Sequence, residues 1–416
     1  RLLRRSPSGT PSGAHLALDI GTEYAKALVF EYEEGGRATV TGAGRQRQGL
    51  AHMQSGTVAD IPAVVRNCRA ALDEAEEMSG RRAEKVVIGI AGELVKGFTT
   101  TRTIERRRPG SAVTHSELER LLEEIESDAS AEAQRTITWE TGLPNVDVRL
   151  VHAGVASAGI DGYTVSNPVG FQGRHLRISV FTAYAPLVHL GALESVVEQL
   201  GLELIKVVAE PYAVARSIAG EQLGQSGALF IDVGGGTTDV ALVRSGSVEG
   251  TRMFALGGRA FSKSLADRLD ISFEEAERVK IEHAGGHELE DADEVAEIVG
   301  EDIAVWAAGV ELVLEEFGQE GLLPGRIELC GGGAALPEIR AALEADGFAS
   351  GLPFARRPQV SMMQPEAVSE IDDATGLLVD QQDVTPMALA FQAVEAAQPQ
   401  EPLDAALARV LKGMRV

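Results

Sequence analysis

The sequence is poor in cysteine and has no long hydrophobic run. Only two cysteines, Cys68 and Cys330, occur in 416 residues, which excludes a disulfide scaffold and favours a reducing compartment. No uncharged apolar stretch reaches the length of a membrane-spanning helix. The basic start, residues 1–13, lacks the apolar core of a secretory signal and is typical of a disordered tail.

Basic residues are fewer than acidic residues. There are 38 Lys and Arg residues against 62 Asp and Glu residues, a formal net charge of −24 at pH 7. A general nucleic-acid binder needs an excess of cations to neutralise phosphates, so the composition argues against a nucleic-acid partner. The charged fraction of 24% and the hydrophobic fraction of 44% are those of a globular protein, and the length predicts roughly two to four domains.

A strand–turn–strand pattern occurs twice. Residues 15–20 predict a strand with Asp19 near its end, followed by a glycine turn and a second strand over 25–30. The same pattern returns at 228–244, where Asp232 takes the place of Asp19. The repeat indicates two related halves, although two short apolar hairpins can also resemble each other by chance.

Between the halves, the pattern predicts a helix over 60–79 and a strand over 85–90. Farther along, the acidic stretch 258–317 predicts helices whose charged faces meet water. After a linker rich in Pro and Gln, residues 403–416 predict a terminal helix.

A small α+β unit is predicted over 97–178. Its arginine cluster, 106–108, is expected to form a solvated strand edge that discourages edge pairing. A capping box opens a helix that we expect over 114–133, and short strands are predicted at 147–152 and 162–166.

Three glycine turns follow predicted strands. Glycine lets backbone N–H groups approach phosphate oxygens because no Cβ stands in the way, and neighbouring threonine hydroxyls add donors. A lysine on the returning strand of the first hairpin can reach a phosphate as a point charge, with an ordinary exposed strand lysine as the alternative. The candidate phosphate-binding residues are Gly21, Thr22, Lys26, Gly234, Gly235, Gly236, Thr237 and Thr238, and the third turn is Gly331, Gly332 and Gly333.

Acidic residues stand beside these turns. Asp19 and Asp232, facing each other across a cleft, suit a hydrated Mg²⁺, since that ion keeps its waters and takes one or two carboxylates plus substrate phosphates. Each aspartate could instead satisfy the N–H groups of its own turn.

Glu210 is the candidate catalytic residue. Before Pro211 we expect extended geometry, from which its carboxylate orients a water at a terminal phosphate, with a structural role as the alternative.

Glu277 and Lys280 share a predicted helix face, where they can hydrogen-bond a ribose or form a surface ion pair.

Several other kinds of site are excluded because residues of their motifs are missing. The segment 257–264 misses the second glycine of a Walker loop. His283 and His287 have the spacing of a zinc-binding helix, but the glutamate is missing and glycines interrupt the segment. A nucleophile elbow is missing, and no dinucleotide fingerprint follows a strand in the right context.

These motifs resemble the actin, Hsp70 and sugar-kinase ATPase superfamily. Residues 18–22 are similar to its first phosphate motif and 232–239 to its second. Residues 329–334 are similar to its adenosine motif, and 209–213 to its first connecting helix. Together these segments span nearly the whole chain.

Within the superfamily, the chain resembles the bacterial cell-division family FtsA. The resemblance rests on residues 167–176, on 257–258 followed by 275–280, and on the position of the inserted unit; Phe171 stands where methionine is usual. It implies an α/β, actin-like fold of two lobes with an inserted small α+β domain of the SHS2 type (1C) and a C-terminal amphipathic helix.

The resemblance also implies a domain plan. Its parts are a tail (1–13), the first lobe 1A (14–96 and 179–220), the inserted 1C domain (97–178), the second lobe 2A (221–257 and 319–397), subdomain 2B (258–318), and a linker with the amphipathic helix (398–416).

ATP and Mg²⁺ are the implied cofactors. Asp19 and Asp232 are then linked to the metal, Glu277 and Lys280 to the ribose, and the third glycine turn to adenosine. FtsA proteins form ATP-dependent filaments at the inner face of the cell membrane, where they tether the tubulin-like FtsZ. The implied partners are therefore further copies of the chain, the FtsZ C-terminal tail and membrane lipid. Hydrolysis, if present, is expected to be weak and to regulate assembly.

The predicted terminal helix suits an anionic lipid surface. Its apolar residues share one face and its basic residues lie beside them, while docking on the protein body is the alternative. The apolar residues are Leu403, Leu407, Val410, Leu411 and Met414, and the basic residues are Arg409, Lys412 and Arg415. Two other functions stay open: a cytoplasmic pilus-assembly adaptor of the PilM type, which needs no such helix, and a sugar or acid kinase of the superfamily.

Overall fold

The computed structural model describes residues 13–33, 36–144, 146–218, 227–319, 321–398 and 402–414. All but the last residue of the predicted tail, and residues 399–401 of the predicted linker, lie outside the described residues. The strands are β1 (Ala14–Ile20), β2 (Tyr24–Tyr32), β3 (Ala38–Arg47), β4 (Met53–Gln54), β5 (Thr57–Val58), β6 (Ala83–Ile90), β7 (Lys96–Glu105), β8 (Val148–Ile160), β9 (Tyr163–Thr164), β10 (His175–Pro186), β11 (Glu203–Ala209), β12 (Ala228–Val233), β13 (Thr238–Arg244), β14 (Ser247–Phe254), β15 (Arg326–Cys330), β16 (Gln359–Met362) and β17 (Ile371–Asp373).

Helices alternate with these strands. The α-helices are α1 (Ile61–Ser79), α2 (His115–Thr141), α3 (Leu187–Leu200), α4 (Glu210–Ile218), α5 (Gly258–Leu269), α6 (Phe273–Ala284), α7 (Ala292–Gly318), α8 (Pro337–Glu344), α9 (Asp346–Ser350), α10 (Val384–Ala397) and α11 (Pro402–Met414). Short 3-10 helices cover Gly332–Ala335, Pro365–Ala367 and Gln381–Asp383. Within the described ranges, no helix is long and apolar enough to cross a bilayer.

The two halves share one strand topology, as the internal repeat predicts. The first sheet has the order β11-β6-β1-β2-β3-β17, and the second contains β16-β15-β12-β13-β14 in the corresponding order. In each half the first strand of the hairpin pairs antiparallel with the second and parallel with its other neighbour. The register sets Asp19 opposite Lys26 in one half and Asp232 opposite Asp239 in the other.

Each half has a hydrophobic core, and the core of the first half also takes in side chains of β12, β13, β14 and β15. The first core packs α1, α3, α4 and α10 on the six-stranded sheet. The second packs α5, α6, α7 and α8 on the strands β12, β13 and β15. This arrangement confirms the predicted two-lobed α/β fold.

The inserted unit consists of β7, α2, β8, β9 and β10, and it continues the sheet of the second lobe. Strand β7 pairs with β14 at Phe98–Gly250 and at Gly97–Thr251, so one nine-stranded sheet runs from the second lobe into the inserted unit. Where the sequence predicts short strands at 147–152 and 162–166, the structure has the long strand β8 and the two-residue strand β9. Alternation alone missed the middle of β8, because most of its residues are half-buried.

Helix α2 starts as predicted, with the Thr114 hydroxyl accepting a hydrogen bond from the N–H of Glu117 (3.2 Å), and it extends past residue 133 to a Gly142 cap. The solvated arginine edge predicted at 106–108 is wrong for Arg106. Its side chain is 2% exposed, it pairs with Glu117 (2.7 Å), and it donates to the carbonyls of Ser111 and Gly173. A buried guanidinium is tolerated here because its donors are paired.

Helix α1 packs against β3 at glycines. A Cβ on Gly44 would overlap the carbonyl oxygen of Ala71, and one on Gly42 would overlap that of Ala75. The helix is capped at its start by Asp60, whose carboxylate accepts from the N–H of Ala63 (3.0 Å), and it ends at Gly80 in the left-handed region. The first lobe therefore depends on close contact between this helix and the sheet.

Replacing Gly44 by alanine should destabilise the first lobe by about 1–3 kcal/mol, because the added methyl group forces α1 away from β3. Gly300→Ala is the control, since Gly300 is an exposed position of α7 where a Cβ meets open space, and alanine favours a helix by up to about 1 kcal/mol. Calorimetric unfolding should give a lower midpoint for the first variant and an equal or higher one for the second. Equal midpoints for Gly44→Ala and the parent would contradict the packing described.

Candidate functional site

A cavity of about 500 Å³ opens between the two lobes. Its size is typical of small-molecule sites. The residues singled out from the sequence that line it are Asp19, Gly21, Thr22, Lys26, Glu210, Asp232, Gly234, Gly235, Thr237, Glu277, Lys280, Gly331, Gly332 and Gly333.

The first glycine turn joins β1 to β2. A Cβ on Gly21 would lie 2.8 Å from the carbonyl oxygen of Tyr24, so the tight turn needs glycine there. Lys26 lies on β2 opposite Asp19, with its Nζ 3.6 Å from Asp19 Oδ2. It also donates to the carbonyl of Gln382, and its side chain is only 15% exposed. Lys26 therefore lines the cavity and is not an ordinary surface lysine.

The second glycine turn joins β12 to β13 and meets the first. A Cβ on Gly236 would lie 2.7 Å from the hydroxyl of Thr22, so the two turns approach each other closely at this point. Thr238 lies outside the cavity, with its hydroxyl donating to the carbonyl of Leu256 (2.7 Å) and accepting from Nε1 of Trp306 (2.9 Å). That hydroxyl is already paired in the core, which removes Thr238 from the predicted phosphate contacts.

Four carboxyl groups are buried together at the floor of the cavity: Asp19, Asp232, Asp239 and Glu210. Burial raises the pKa of Asp19; Lys26 opposes this shift and Asp232 adds to it. Burial also raises the pKa of Asp232, against the hydrogen bond from Thr385. The pKa values of Asp239 and Glu210 lie well above their usual range, because burial and then the neighbouring carboxylates disfavour ionisation.

Asp239 is the residue of this group to which the sequence analysis gave no role. In the second half it occupies the register position that Lys26 occupies in the first half. A comparison of the two repeated hairpins could therefore have pointed to it. Its Oδ1 is buried and has no hydrogen-bond partner within the described structure. A buried carboxylate oxygen without a partner is costly, and it suits a ligand that supplies positive charge or a hydrogen-bond donor.

A divalent cation fits this chemistry. Over the described ranges, no group of three or more Asp, Glu, His or Cys side chains is arranged to hold a metal unaided. Mg²⁺ does not need such a group, since it commonly takes one or two carboxylates and completes its shell with water and phosphate oxygens. Asp19 and Asp232 remain the candidate ligands, with Asp239 beside them.

Glu210 is the first residue of α4, so the extended geometry predicted from Pro211 is wrong. Proline fits the first turn of a helix, because the N–H that it lacks would have no partner there. A Cβ on Gly89 would overlap Oε1 of Glu210, so the strand β6 needs glycine beside this carboxylate. The position of Glu210 is fixed from both sides, by the start of α4 and by β6.

Glu277 and Lys280 line the other end of the cavity. Their ion pair (2.8 Å) is not the exposed surface pair considered as an alternative, since the side chains are only 12% and 10% exposed. Lys280 also donates to the carbonyl of Gly258 and to the hydroxyl of Ser262, both at 2.9 Å. The three N–H groups of Lys280 are thus used within the protein, which leaves Glu277 as the better candidate for a ribose hydroxyl.

The third glycine turn follows β15 and closes on the second half. Gly331 has a φ of +85°, and a Cβ there would overlap Oδ1 of Asp232. A Cβ on Gly333 would lie 2.6 Å from Cγ1 of Val233. Glycine is therefore required at both positions, which brings this turn against the carboxylate cluster.

The wall beside this turn is apolar, formed by Ile281 and Ala284 of α6 and by Leu336. Behind it, His283 of α6 and Glu338 of α8 are joined at 2.6 Å. This pair ties α6 to α8 behind the apolar wall of the cavity. The zinc site already doubted from the sequence is not needed to explain His283.

Arg259 joins the two lobes and was missed from the sequence. It lies on α5 of the second lobe, and its Nε donates to Glu23 (2.6 Å) in the first glycine turn. It also donates to the carbonyl of Gln48 (3.0 Å). Arg47 binds the other oxygen of Glu23 (2.6 Å) from within the first lobe. No motif signals Arg259, because its partners are distant in sequence.

The sequence is similar to a described family and to several of its characterised members. A model of the family "Cell division protein FtsA" matches residues 229–377. The FtsA of Pseudomonas aeruginosa is 28% identical over 271 residues, which cover 65% of this chain and 60% of that protein. The FtsA of Streptococcus pneumoniae is 26% identical over 344 residues, 78% of this chain and 72% of that protein.

A solved structure described as the PilM-PilN type IV pilus biogenesis complex superposes with a TM-score of 0.65, covering 92% of this chain and 99% of that one. At 17% identity, this likeness concerns the fold alone. The matches confirm the resemblance to FtsA and the actin-like fold. The chain aligns with only about three fifths of the length of the Pseudomonas relative.

Asp239→Asn should raise the unfolding midpoint without divalent cations, and the gain should grow as pH rises from about 4. A carboxyl with a raised folded-state pKa binds more protons folded than unfolded. Its contribution to stability is full below the unfolded pKa and is lost as pH rises through the folded pKa. Asparagine cannot ionise and removes this loss, so we expect a gain of about 2 °C or more at pH 8 and a smaller one at pH 5.

Calorimetry in EDTA measures this difference. The buried His152 and His189, whose pKa values burial lowers, act in the opposite direction in both proteins and cancel in the comparison. Asp73→Asn, an exposed substitution on α1 outside the cavity, is the control for the change of a carboxylate to an amide. An equal gain at both pH values would mean that ionisation of Asp239 does not lower the stability of the folded protein.

Proposed function

We propose, starting from the likeness to FtsA, that this chain is an ATP-binding, filament-forming protein of bacterial cell division, attached to the inner face of the cytoplasmic membrane. The observation that carries the proposal is the meeting of three glycine turns from two related halves around a cluster of buried carboxyl groups. The N–H groups of the glycine turns suit phosphate oxygens, and the buried carboxyl groups suit a bound cation.

The triphosphate lies between the first two turns in this proposal. Backbone N–H groups of Gly21 and Gly235 and the hydroxyls of Thr22 and Thr237 donate to its oxygens. The N–H of Gly234 donates to the carbonyl of Thr237 (2.9 Å) and so holds the shape of the second turn. Lys26 adds a positive charge from β2. When bound, Mg²⁺ supplies charge neutralisation to the phosphates and to the aspartates; Asp19 and Asp232 hold it through water or directly.

The nucleoside lies at the other end of the cavity. Glu277 accepts hydrogen bonds from ribose hydroxyls, with Lys280 holding its carboxylate in place. The base lies in the part of the cavity between α6 and the third turn, against apolar side chains and the backbone of Gly331–Gly333, where no side chain stands in the way. The pair His283–Glu338 ties α6 to α8 behind this part of the cavity.

Glu210 orients the attacking water, and slow hydrolysis then regulates assembly. Burial raises the pKa of Glu210, and a cation held by the neighbouring aspartates would lower it and so allow the carboxylate to accept a hydrogen bond from that water. The nearby Asp239 serves the same cation or a water bound to it. The product of this turnover is a changed polymer rather than a released metabolite.

Partners attach to surfaces away from the cavity. Exposed apolar side chains of α7, Val305 and Leu312, lie two turns apart on one face (63% and 68% exposed), which suits an apolar peptide such as the FtsZ tail. Further copies of the chain form the filament. Lipid is met by α11, whose terminal residues include Arg409 and Lys412.

A second candidate is a cytoplasmic adaptor of the PilM type. The observation that favours it is the docked state of α11, whose apolar face packs on the inserted unit and is not free for lipid. A sugar or acid kinase is the third candidate, and it differs in requiring a substrate that stimulates ATP turnover.

Calorimetric titration with ATP, in EDTA and in MgCl₂, tests the nucleotide site. Asp232→Asn should weaken binding about tenfold in MgCl₂ and leave it unchanged or tighter in EDTA, because the carboxylate acts through the cation. Glu277→Gln should weaken binding by about the same factor under both conditions, because a ribose contact does not need the metal.

Each variant is therefore the control for the other. An equal loss for Asp232→Asn in EDTA and in MgCl₂ would contradict a metal role. No binding by the parent protein would remove the nucleotide proposal. Turnover that rises on addition of sugars or organic acids would favour the kinase.

Arg259→Ala should speed the release of a fluorescent ATP analogue about three- to tenfold, because it removes a shielded ion pair that closes the cleft. Arg47→Ala is the matched control, since it removes an ion pair to the same Glu23 at the same 2.6 Å distance but within one lobe. Stopped-flow release measures both. Equal rates for the two variants would mean that Glu23 stabilises its own turn and does not hold the lobes together.

A further inference from the structure

Helix α11 uses a single apolar face, and the protein body already covers it. Leu403, Ala406, Leu407 and Val410 are between 1% and 6% exposed. They belong to one hydrophobic cluster with side chains of α2, β8 and β10. The predicted face is therefore confirmed up to Leu411, which packs partly against the same cluster; the Met414 side chain and Arg415 lie outside the described residues.

Two polar contacts fix the docked helix on the inserted unit. Oδ1 of Asp404 accepts a hydrogen bond from the N–H of Val155 on β8 (3.1 Å). Nε of Arg409 donates to Oε1 of Glu119 on α2 (3.0 Å). The first contact satisfies a backbone donor of a strand, and the second uses one of the basic residues that a lipid surface would attract.

Asp404 also acts on the first lobe. Burial lowers the pKa of Lys206 on β11, and the carboxylates of Glu395 and Asp404 oppose that shift. The same two carboxylates favour the charged form of Arg216 on α4. Docking thus brings a negative charge near a cationic part of the first lobe.

We propose that the surface formed by α2 and β8 is an intramolecular receptor for α11 that competes with an anionic lipid surface for the same helix face. The inference rests on the proposed membrane attachment and adds its regulation. Both states remove the same apolar side chains from water, so the hydrophobic gain is similar in each.

The balance between the two states is then set by polar contacts that differ between them. Asp404 with Val155 and Arg409 with Glu119 exist only in the docked state. On the membrane, Arg409 and Lys412 meet lipid phosphates, and Asp404 is repelled. A docked chain is therefore unattached, and attachment exposes the receptor surface on the inserted unit.

Covalent bridging tests this competition. In the full chain carrying Glu119→Cys and Arg409→Cys, a short bismaleimide joins two positions whose native side chains are in contact. Cys68 and Cys330 are fully buried and escape labelling. The reference is the same double variant with its thiols blocked by N-ethylmaleimide, so that both samples carry the same substitutions.

Pelleting with phosphatidylglycerol vesicles is the measurement. The bridged protein should pellet at least about fivefold less than the blocked protein, because the bridge holds α11 in the docked state. Glu119→Gln, which leaves the sequence of α11 intact, should raise pelleting of the otherwise native chain about two- to fivefold. Glu132→Gln is its control, since it removes an exposed ion pair that lies within α2 itself.

The outcomes separate the inference from the function on which it rests. Equal pelleting of bridged and blocked protein would overturn the competition and leave membrane attachment standing. No pelleting of any form, Glu119→Gln included, would overturn both and favour the adaptor without a membrane helix. Equal binding to neutral phosphatidylcholine vesicles would overturn the anionic surface as the competitor. ATP binding by each sample shows that it is folded.

Discussion

The burial of four carboxyl groups in one cavity is the constraint on which the rest of this structure depends. Desolvation disfavours the ionised forms of Asp19, Asp232, Asp239 and Glu210, and the charge of Asp232 further disfavours ionisation of the other three. Such a cluster needs a closely packed backbone around it, and several positions of that backbone here are glycines. Gly89, Gly331 and Gly236 each stand where a side chain would collide with the cluster or with the opposite turn. The site is thus unfavourable without a ligand and suits one that supplies positive charge or hydrogen-bond donors.

The two halves are related but not equivalent at their centres. The register position that holds Lys26 in the first half holds Asp239 in the second. One half therefore offers a cation beside its aspartate, and the other offers a second carboxylate. This difference gives the cavity a positive side and a negative side, which a symmetric pair of hairpins would lack. A phosphate chain with a divalent cation matches such an arrangement better than a free anion or a free cation does.

Local pattern predicted much of this fold, and long-range contacts explain what it missed. The helix 60–79 and the strand 85–90 were predicted to within two residues of the bounds that the structure has, because each combines a clear apolar pattern with a clear break. Most of the predicted site residues line one cavity, because the glycine turns end neighbouring strands. Thr238 and Arg106 were misjudged, since their partners, Trp306 and Glu117, are set by tertiary packing. Arg259 and Gly89 could not be found at all without knowing which distant segment each one faces.

The continuity of the nine-stranded sheet has a mechanical consequence. The inserted unit is connected through the chain to the first lobe. Its sheet joins the second lobe through two paired positions of β7 and β14 and through a few side-chain hydrogen bonds, such as that of Thr99 to the carbonyl of Val248. When the angle between the lobes changes, either the contacts between β7 and β14 must shear or the inserted unit must move with the second lobe. Either response displaces the far end of a sheet that extends well beyond the cleft. A movement of small amplitude at the glycine turns is therefore magnified at β8 and β9, where the unit faces its surroundings.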